Sequence, residues 1–345
     1  MGVGLIFYAI AEPVSHLHAP PSAEPNTLLA TEEAIKYSVF HWGLHPWATY
    51  ATLAIALAYF KFRHRAPALI SSVFTPILGR HARGPIGHGI DVLAVFATVF
   101  GISTSLGLGA SQVAAGLSYS FDGVENTILT QLIVIIVMTV IFMASAISGI
   151  DKGIRLLSWG NVILAISLMI FVFIVGSSLD MIETSMTTLG AYITDLPRMT
   201  LEMHTFSDNR DFLDGWTLFY WAWWIGWAPF VATFIARVSR GRTIREFVLG
   251  VTIVPLLFSL VWFSIFGVAG IEVDNAQGGQ IHQIVQTLGS EFALFAFLET
   301  QPLSALVIGV TIILIASFFC HFSRCSNILD FYADNRWKIK SFCDS

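Results

Sequence analysis

Tryptophan is the residue whose spacing in this chain points most directly to chemistry. Five of the ten tryptophans fall between Trp216 and Trp227, in the segment WTLFYWAWWIGWAPFVATFIARVSRGRTIREF. An N-methylated ammonium group has no N–H to donate, so hydrogen bonds cannot select it. The face of an indole attracts such a cation electrostatically, by about 2 kcal/mol or more once the site is dry. On a helix Trp223 and Trp227 share a face, with Trp224 turned about 100° away. The expectation is a cage of Trp223, Trp224 and Trp227 around a quaternary ammonium group. The competing reading is an aromatic belt at a membrane interface. A belt usually places one or two tryptophans at a helix end, whereas this run continues inward. A second cluster, Trp42, Trp47 and Tyr50 in FHWGLHPWATY, is broken by Pro46. Trp47 and Tyr50 face one way, and both readings stay open for this cluster: a further cage wall or an interfacial belt.

The elements that position these rings are membrane helices. Hydrophobic residues make up 55% of the 345, charged residues 12%, and mean hydropathy is +0.72. That composition excludes an ordinary soluble domain of this length. Apolar runs able to cross roughly 30 Å of hydrocarbon predict eight spans, at about 1–17, 41–60, 89–118, 129–148, 157–178, 216–238, 247–270 and 302–322. The first lacks a basic leader and a cleavage pattern, so it does not read as a signal peptide. The first and last spans look clipped. Lys and Arg concentrate after the even-numbered spans, fifteen of the eighteen, leaving Lys36, Arg198 and Arg210 on the other side. By the positive-inside rule both termini are cytoplasmic. No Lys/Arg stripe suggests nucleic acid. No Ser/His/Asp set, phosphate loop or H-E-x-x-H motif is present, so no enzyme is expected and no catalytic residue is assigned.

Smaller signals lie along these spans. Gly2 and Gly4 in MGVGLIFYAIAEPVSH allow the backbone to unwind or a ligand to approach, or serve close helix packing. Glu12, beside the helix breaker Pro13, is an ionisable group in a span and so a functional hypothesis by default. In FGISTSLGLGASQ, the hydroxyls of Ser103, Thr104 and Ser105 among Gly101, Gly107 and Gly109 read equally as ligands for an alkali cation or as packing glue. Asp91 reads as a cap or dipole partner. Residues 190–206, GAYITDLPRMTLEMHTF, read as an interfacial helix, and RVSRGRTIREF as a basic cytoplasmic turn that anchors topology. The three cysteines, Cys320, Cys325 and Cys343, all lie in the last 26 residues and fit no common zinc spacing; no metal site is predicted.

Together MGVGLIFYAIAEP, FHWGLHPWATY, SLGLGA, SGIDKGIRLLS and the tryptophan segment resemble the betaine/choline/carnitine transporter (BCCT) family, from residue 1 to about 319. The resemblance implies an all-α integral membrane protein with a LeuT-like inverted-repeat transporter core, here incomplete, with about eight of the family's twelve helices. The implied organisation is a first five-helix repeat over 1–178, an outer connection with an interfacial helix over 179–215, a partial second repeat over 216–319, and an aberrant cytoplasmic tail over 320–345. Trp223, Trp224 and Trp227 match the family's central cage. Trp42, Trp47 and Tyr50 match its outer-pathway aromatics. Met1, Gly2, Val3 and Gly4 match an unwound stretch beside substrate and sodium, and Phe230 falls in an element associated with a second sodium site. A glycine at Gly4 resembles the sodium-coupled betaine branch, since similar proton-coupled choline transporters tend to carry a carboxylate there.

After Phe318-Phe319 the family continues into a V-T-S-A-D-like run that completes a sodium site, whereas this chain reads CHFSRCSNILDFYADNRWKIKSFCDS. The expectation is a frameshift in the tail, to be checked in genomic DNA near the codon for Cys320. The implied function is secondary active transport of a quaternary ammonium osmolyte into the cell, coupled to sodium, with no cofactor beyond that coupling ion. The partners expected are the small-molecule substrate, the lipid bilayer and, for an intact protein, two further copies in a homotrimer. The location expected is the bacterial inner membrane. The alternatives are a truncated remnant that does not transport and an ion-independent exchanger. Betaine, choline, carnitine and dimethylsulfoniopropionate all present a methylated onium group to the same rings.

Overall fold

Helices account for all the regular structure among the described residues, which in this computed structural model are 2–147, 151–203 and 210–325. In chain order they are α1 (Gly2–His18), α2 (Leu28–Trp42), α3 (Leu44–Arg63), α4 (Ile70–Val73), α5 (Thr75–Leu78), α6 (Pro85–Ser120), α7 (Ile128–Ile147) and α8 (Asp151–Val175). Then follow α9 (Ser178–Leu201), α10 (Arg210–Phe212), α11 (Leu218–Val238), α12 (Ile244–Ala276), α13 (Gln280–Thr287), α14 (Ala293–Glu299) and α15 (Ser304–Cys325). Seven of the eight predicted apolar segments fall largely within one of these helices, and the segment at 41–60 falls across two of them. Length and composition sufficient to cross a membrane belong to Pro85–Ser120, Arg210–Val238 and Ile244–Ala276. Trp159–Val175 and Ser178–Leu201 meet that test only as a pair bent by 111°, and Ile128–Ile141 and Ser304–Phe318 are shorter apolar helices.

Two boundaries differ from expectation for identifiable reasons. The predicted span at 41–60 begins inside α2 and continues in α3, because the helix breaks at Gly43. A helix running through it would need an N–H at Pro46 to reach the carbonyl of Trp42, and proline has none. The interfacial helix predicted from residue 190 starts at Ser178. Its buried residues Met181, Thr188, Tyr192 and Met199 fall at helical spacing along one stripe, so the period is set well before 190. At the sharp bend before it, Ser178 Oγ donates to the Phe173 carbonyl at 2.5 Å, satisfying an acceptor at the end of α8.

The chain divides into two compact units. One comprises Met1–His41, Ser105–Gly215 and Phe258–Arg324. Within it α1 lies against α12, α13 and α14. Trp262 Nε1 donates to the Leu5 carbonyl at 3.0 Å. Glycine permits the close approach: a Cβ on Gly270 would lie 3.0 Å from Ile10. Lys36 Nζ pairs with Asp195 at 2.6 Å, joining α2 to α9, and Ser317 donates to Asn161, joining α15 to α8.

At the end of α1 a proton-sensitive contact forms. His18 Nε2 lies 2.7 Å from Asp274 Oδ2, the His282 amide donates to Asp274 Oδ1 at 2.9 Å, and the two imidazoles stack with centroids 3.9 Å apart. Burial, and then the neighbouring His18, push the His282 ring below its ordinary value of 6.5, against an opposing pull from Asp274. The depressed value means that the unfolded chain takes up this proton first. The contribution of His282 to α13 is therefore complete above about pH 6.5 and is lost as pH falls toward its lowered value. Hydrogen exchange of the α13 amides, corrected for intrinsic rates, is expected to show weaker protection at pH 5.5 than at 7.5 in the native chain. In His282→Gln that pH dependence should flatten; an equal drop in both would refute the assignment.

The other unit contains Trp42–Thr104 and Trp216–Leu257. Its core is the pairing of α3 with α11. α3 presents Pro46, Tyr50, Ala51, Ala54 and Leu57, and α11 presents Tyr220, Trp223, Trp224, Trp227, Ala228, Ala232, Ile235 and Ala236. Both sets follow the i, i+3, i+4, i+7 stripe of a one-faced helix. Asp91, near the start of α6, accepts from the Ser71 amide at 2.9 Å and from Ser71 Oγ at 2.8 Å, so it caps α4. The basic turn ends in a reciprocal cap of α12: Glu246 Oε2 accepts from the Thr243 amide at 2.9 Å, and Thr243 Oγ1 accepts from the Glu246 amide at 3.3 Å.

Candidate functional site: an aromatic cluster on α11

α11 enters through a π-helical turn, Leu213–Thr217, which carries Trp216. Such turns widen the helix locally and shift the register of the side chains that follow. Beyond it Tyr220, Trp223 and Trp224 lie on one side of α11, because positions three and four apart share a face. Trp42, the last residue of α2, packs on all three, with centroids 5.5 Å from Tyr220, 5.9 Å from Trp223 and 4.9 Å from Trp224. In each pair its ring stands edge-on, at 71°, 84° and 74°, so its positive rim meets the negative faces of the others. Tyr220 is 0% exposed, Trp42 and Trp224 each 1% and Trp223 5%. A cluster this dry is the environment in which a ring face attracts a cation most strongly.

The geometry differs in detail from the expected cage. Trp223 and Trp224, expected to diverge, are parallel within 11° with centroids 4.9 Å apart. Tyr220 continues the same parallel set, at 16° and 5.8 Å from Trp224 and at 18° and 6.3 Å from Trp223. Rings in direct contact leave no room for a ligand between them. Trp227 is buried at 4% exposure and lies one turn on, with its ring 5.6 Å from Phe230. Phe230, expected near a sodium site, is half-buried.

The second cluster separates. Trp42 joins α11, while Trp47 pairs edge-on with Tyr50 at 5.8 Å. Tyr50 is fully buried, and its hydroxyl has no hydrogen-bond partner among the described residues. Tyr220 was not anticipated, although its spacing of three and four from Trp223 and Trp224 was a usable signal. Gly2, Val3 and Gly4 are not unwound: they form the first turn of α1, and a Cβ at Gly2 would lie 2.5 Å from the Phe318 ring. Met1 lies outside the described residues, as do the tail positions 326–345. In α6 the helix is continuous through the glycine-rich segment; Thr104 is half-buried and donates back to the Phe100 carbonyl at 3.0 Å, and Gly101 lies against Trp227 and Gly226. At Gly101 the packing reading holds.

The family profile described as BCCT, betaine/carnitine/choline family transporter, matches residues 1–329. The chain belongs to the BCCT family. The match extends ten residues past the point at which the motifs could be followed. The glycine betaine transporter OpuD of Bacillus subtilis is 48% identical over 321 residues, covering 92% of this chain and 62% of that protein. A probable glycine betaine transporter of Desulfitobacterium hafniense is 45% identical over 319 residues, covering 92% and 63%. The high-affinity choline transport protein of Escherichia coli is 39% identical over 302 residues, covering 88% and 44%. The chain thus spans less than two thirds of the length of these relatives. The family and its named members are transporters and not enzymes, and they are multi-pass proteins of the cell membrane.

Proposed function

We propose that this chain carries the substrate cage of a secondary transporter for a quaternary ammonium osmolyte of the glycine betaine or choline class. The observation that carries the reading is the buried ring set of Trp42, Tyr220, Trp223 and Trp224 on α11. It supplies desolvated π faces, the one interaction in proteins that selects a methylated onium group lacking any N–H. Relatives named for glycine betaine and choline support the same class. A methylated ligand would meet an outer face of the Trp223–Trp224 stack, with rotation of the edge-on Trp42 ring making room. Trp227 adds a further wall one turn along, and Trp47 and Tyr50 line the outer pathway.

In the same reading the protein is a LeuT-like inverted-repeat importer with both termini cytoplasmic, and it works as a homotrimer. Gly2, Val3 and Gly4 contribute backbone contacts to substrate. Met1 and Phe230 lie at sodium sites, and sodium binding favours the substrate-binding conformation, so that the ion gradient drives uptake by differential affinity.

The test is radiolabelled glycine betaine uptake by cells lacking their own osmolyte transporters and expressing the 345-residue chain, with and without sodium, after membrane insertion is confirmed. Sodium-dependent accumulation is expected. Counterflow that is indifferent to sodium would replace symport by exchange. Insertion with neither uptake nor betaine binding would overturn the transport reading for this chain.

A further inference from the structure

We propose that Glu12, His16 and His41 form a binding site for a divalent transition-metal ion of the zinc class. The three side chains are wholly buried in one compact unit. Their ligand atoms, one carboxylate oxygen and two imidazole nitrogens, all lie within 4.8 Å of one another. Glu12 and His16 are one turn apart on α1 and so share a face. His41 reaches them from the last turn of α2. His41 Nδ1 is 2.7 Å from Glu12 Oε1, and His16 Nε2 is 3.9 Å from the same oxygen.

Two imidazoles and a carboxylate are a donor set zinc accepts, with a fourth position left to water or an anion. Bonds of 2.0–2.1 Å in a tetrahedral site place donor atoms about 3.3 Å apart. The two separations to Glu12 Oε1 lie on either side of that value, each about 0.6 Å from it, and the imidazole nitrogens lie within 4.8 Å of one another. The surroundings hold the rings in place: Phe212 lies 4.9 Å from His16 and 6.2 Å from His41, and Tyr37 lies 6.3 Å from His41. Electrostatics favours the ion as well. A carboxylate with no contact to water is costly unless a cation compensates it, and a divalent ion held by two neutral imidazoles does so directly.

The experiment uses the full chain, purified in detergent with the tail cysteines changed (Cys320→Ser, Cys325→Ser, Cys343→Ser) so that thiolates cannot hold the metal. After chelator treatment and its removal, the protein is titrated with Co²⁺ and with Zn²⁺. One equivalent per chain with the visible absorption of tetrahedral cobalt is expected, along with an X-ray absorption spectrum containing two imidazole nitrogens and an oxygen. His41→Ala and His16→Ala should weaken binding at least 100-fold, and Glu12→Gln by a comparable factor. The spectrum is read on protein with all three ligands intact, so a variant that misfolds does not shelter the proposal. Binding of less than a tenth of an equivalent, a ligand shell without two imidazoles, or affinity unchanged in the three folded variants would each overturn it and leave Glu12–His41 as a hydrogen-bonded pair only.

Discussion

Trp224→Leu is expected to weaken glycine betaine binding roughly 30-fold while leaving the chain in the membrane. Trp224 is 1% exposed and touches Trp42 and Trp223 at centroid distances of 4.9 Å each. Removing its π face forfeits about 2 kcal/mol of cation attraction, roughly a 30-fold loss of affinity. Leucine also leaves a void where the indole packed, and a buried tryptophan cut to alanine costs about 3–5 kcal/mol. The two effects are separable. Trp224→Phe keeps a ring and should lose less affinity than Trp224→Leu at comparable thermal stability. Scintillation-proximity binding of labelled betaine, beside thermal unfolding in detergent, reads both. Undiminished binding by the Leu variant would remove Trp224 from the site. Binding losses that merely follow the fall in stability across the two variants would assign it a packing role alone.

The second large effect is expected at Gly101, where α6 and α11 approach. A Cβ there would lie 3.0 Å from Trp227 Cδ1 and 3.2 Å from the Gly226 carbonyl carbon. The reciprocal position is as tight, since a Cβ on Gly226 would meet the Ala97 carbonyl oxygen at 3.2 Å. Backbone atoms cannot rotate away as a flexible side chain can, so the helices themselves must separate. Gly101→Leu should therefore cost at least the 1–3 kcal/mol typical of overpacking, and it should displace Trp227 as well. Gly107 on the same helix has nothing within 4 Å of its missing Cβ, and Gly107→Leu is expected to leave the melting temperature unchanged or raised. Equal melting temperatures for the two leucine variants would show that the helices do not meet at Gly101.

Much of this protein was legible before any coordinates. Hydropathy placed its apolar segments on helices, three of them long and apolar enough to cross a membrane among the described residues, because a chain that spans lipid must satisfy its backbone internally and so writes long apolar runs into its sequence. The family was legible too, because a tryptophan run around an invariant chemical problem, holding a cation without hydrogen bonds, leaves few alternatives. The T-x-x-E cap of α12 is a local signal that the sequence reading passed over, whereas Asp91, read as a cap of its own helix, bonds Ser71 twenty residues away. Helix ends were less legible: Pro46 signalled a break, but its consequence lay four residues earlier, at Trp42.

What only the tertiary structure decided are the relations between residues far apart in sequence. Helical spacing places Trp224 about 100° from Trp223, yet ring torsions bring the two indoles parallel, and periodicity fixes Cβ directions without fixing χ angles. Trp42 and Trp47, neighbours in sequence, part because Gly43 separates their helices. Glu12 announced itself as an ionisable residue in an apolar helix, but nothing in the one-dimensional pattern named His41 as its partner. That pairing depends on how α2 returns to pack against α1, and a contact across 29 positions is settled by packing energy and not by local propensity.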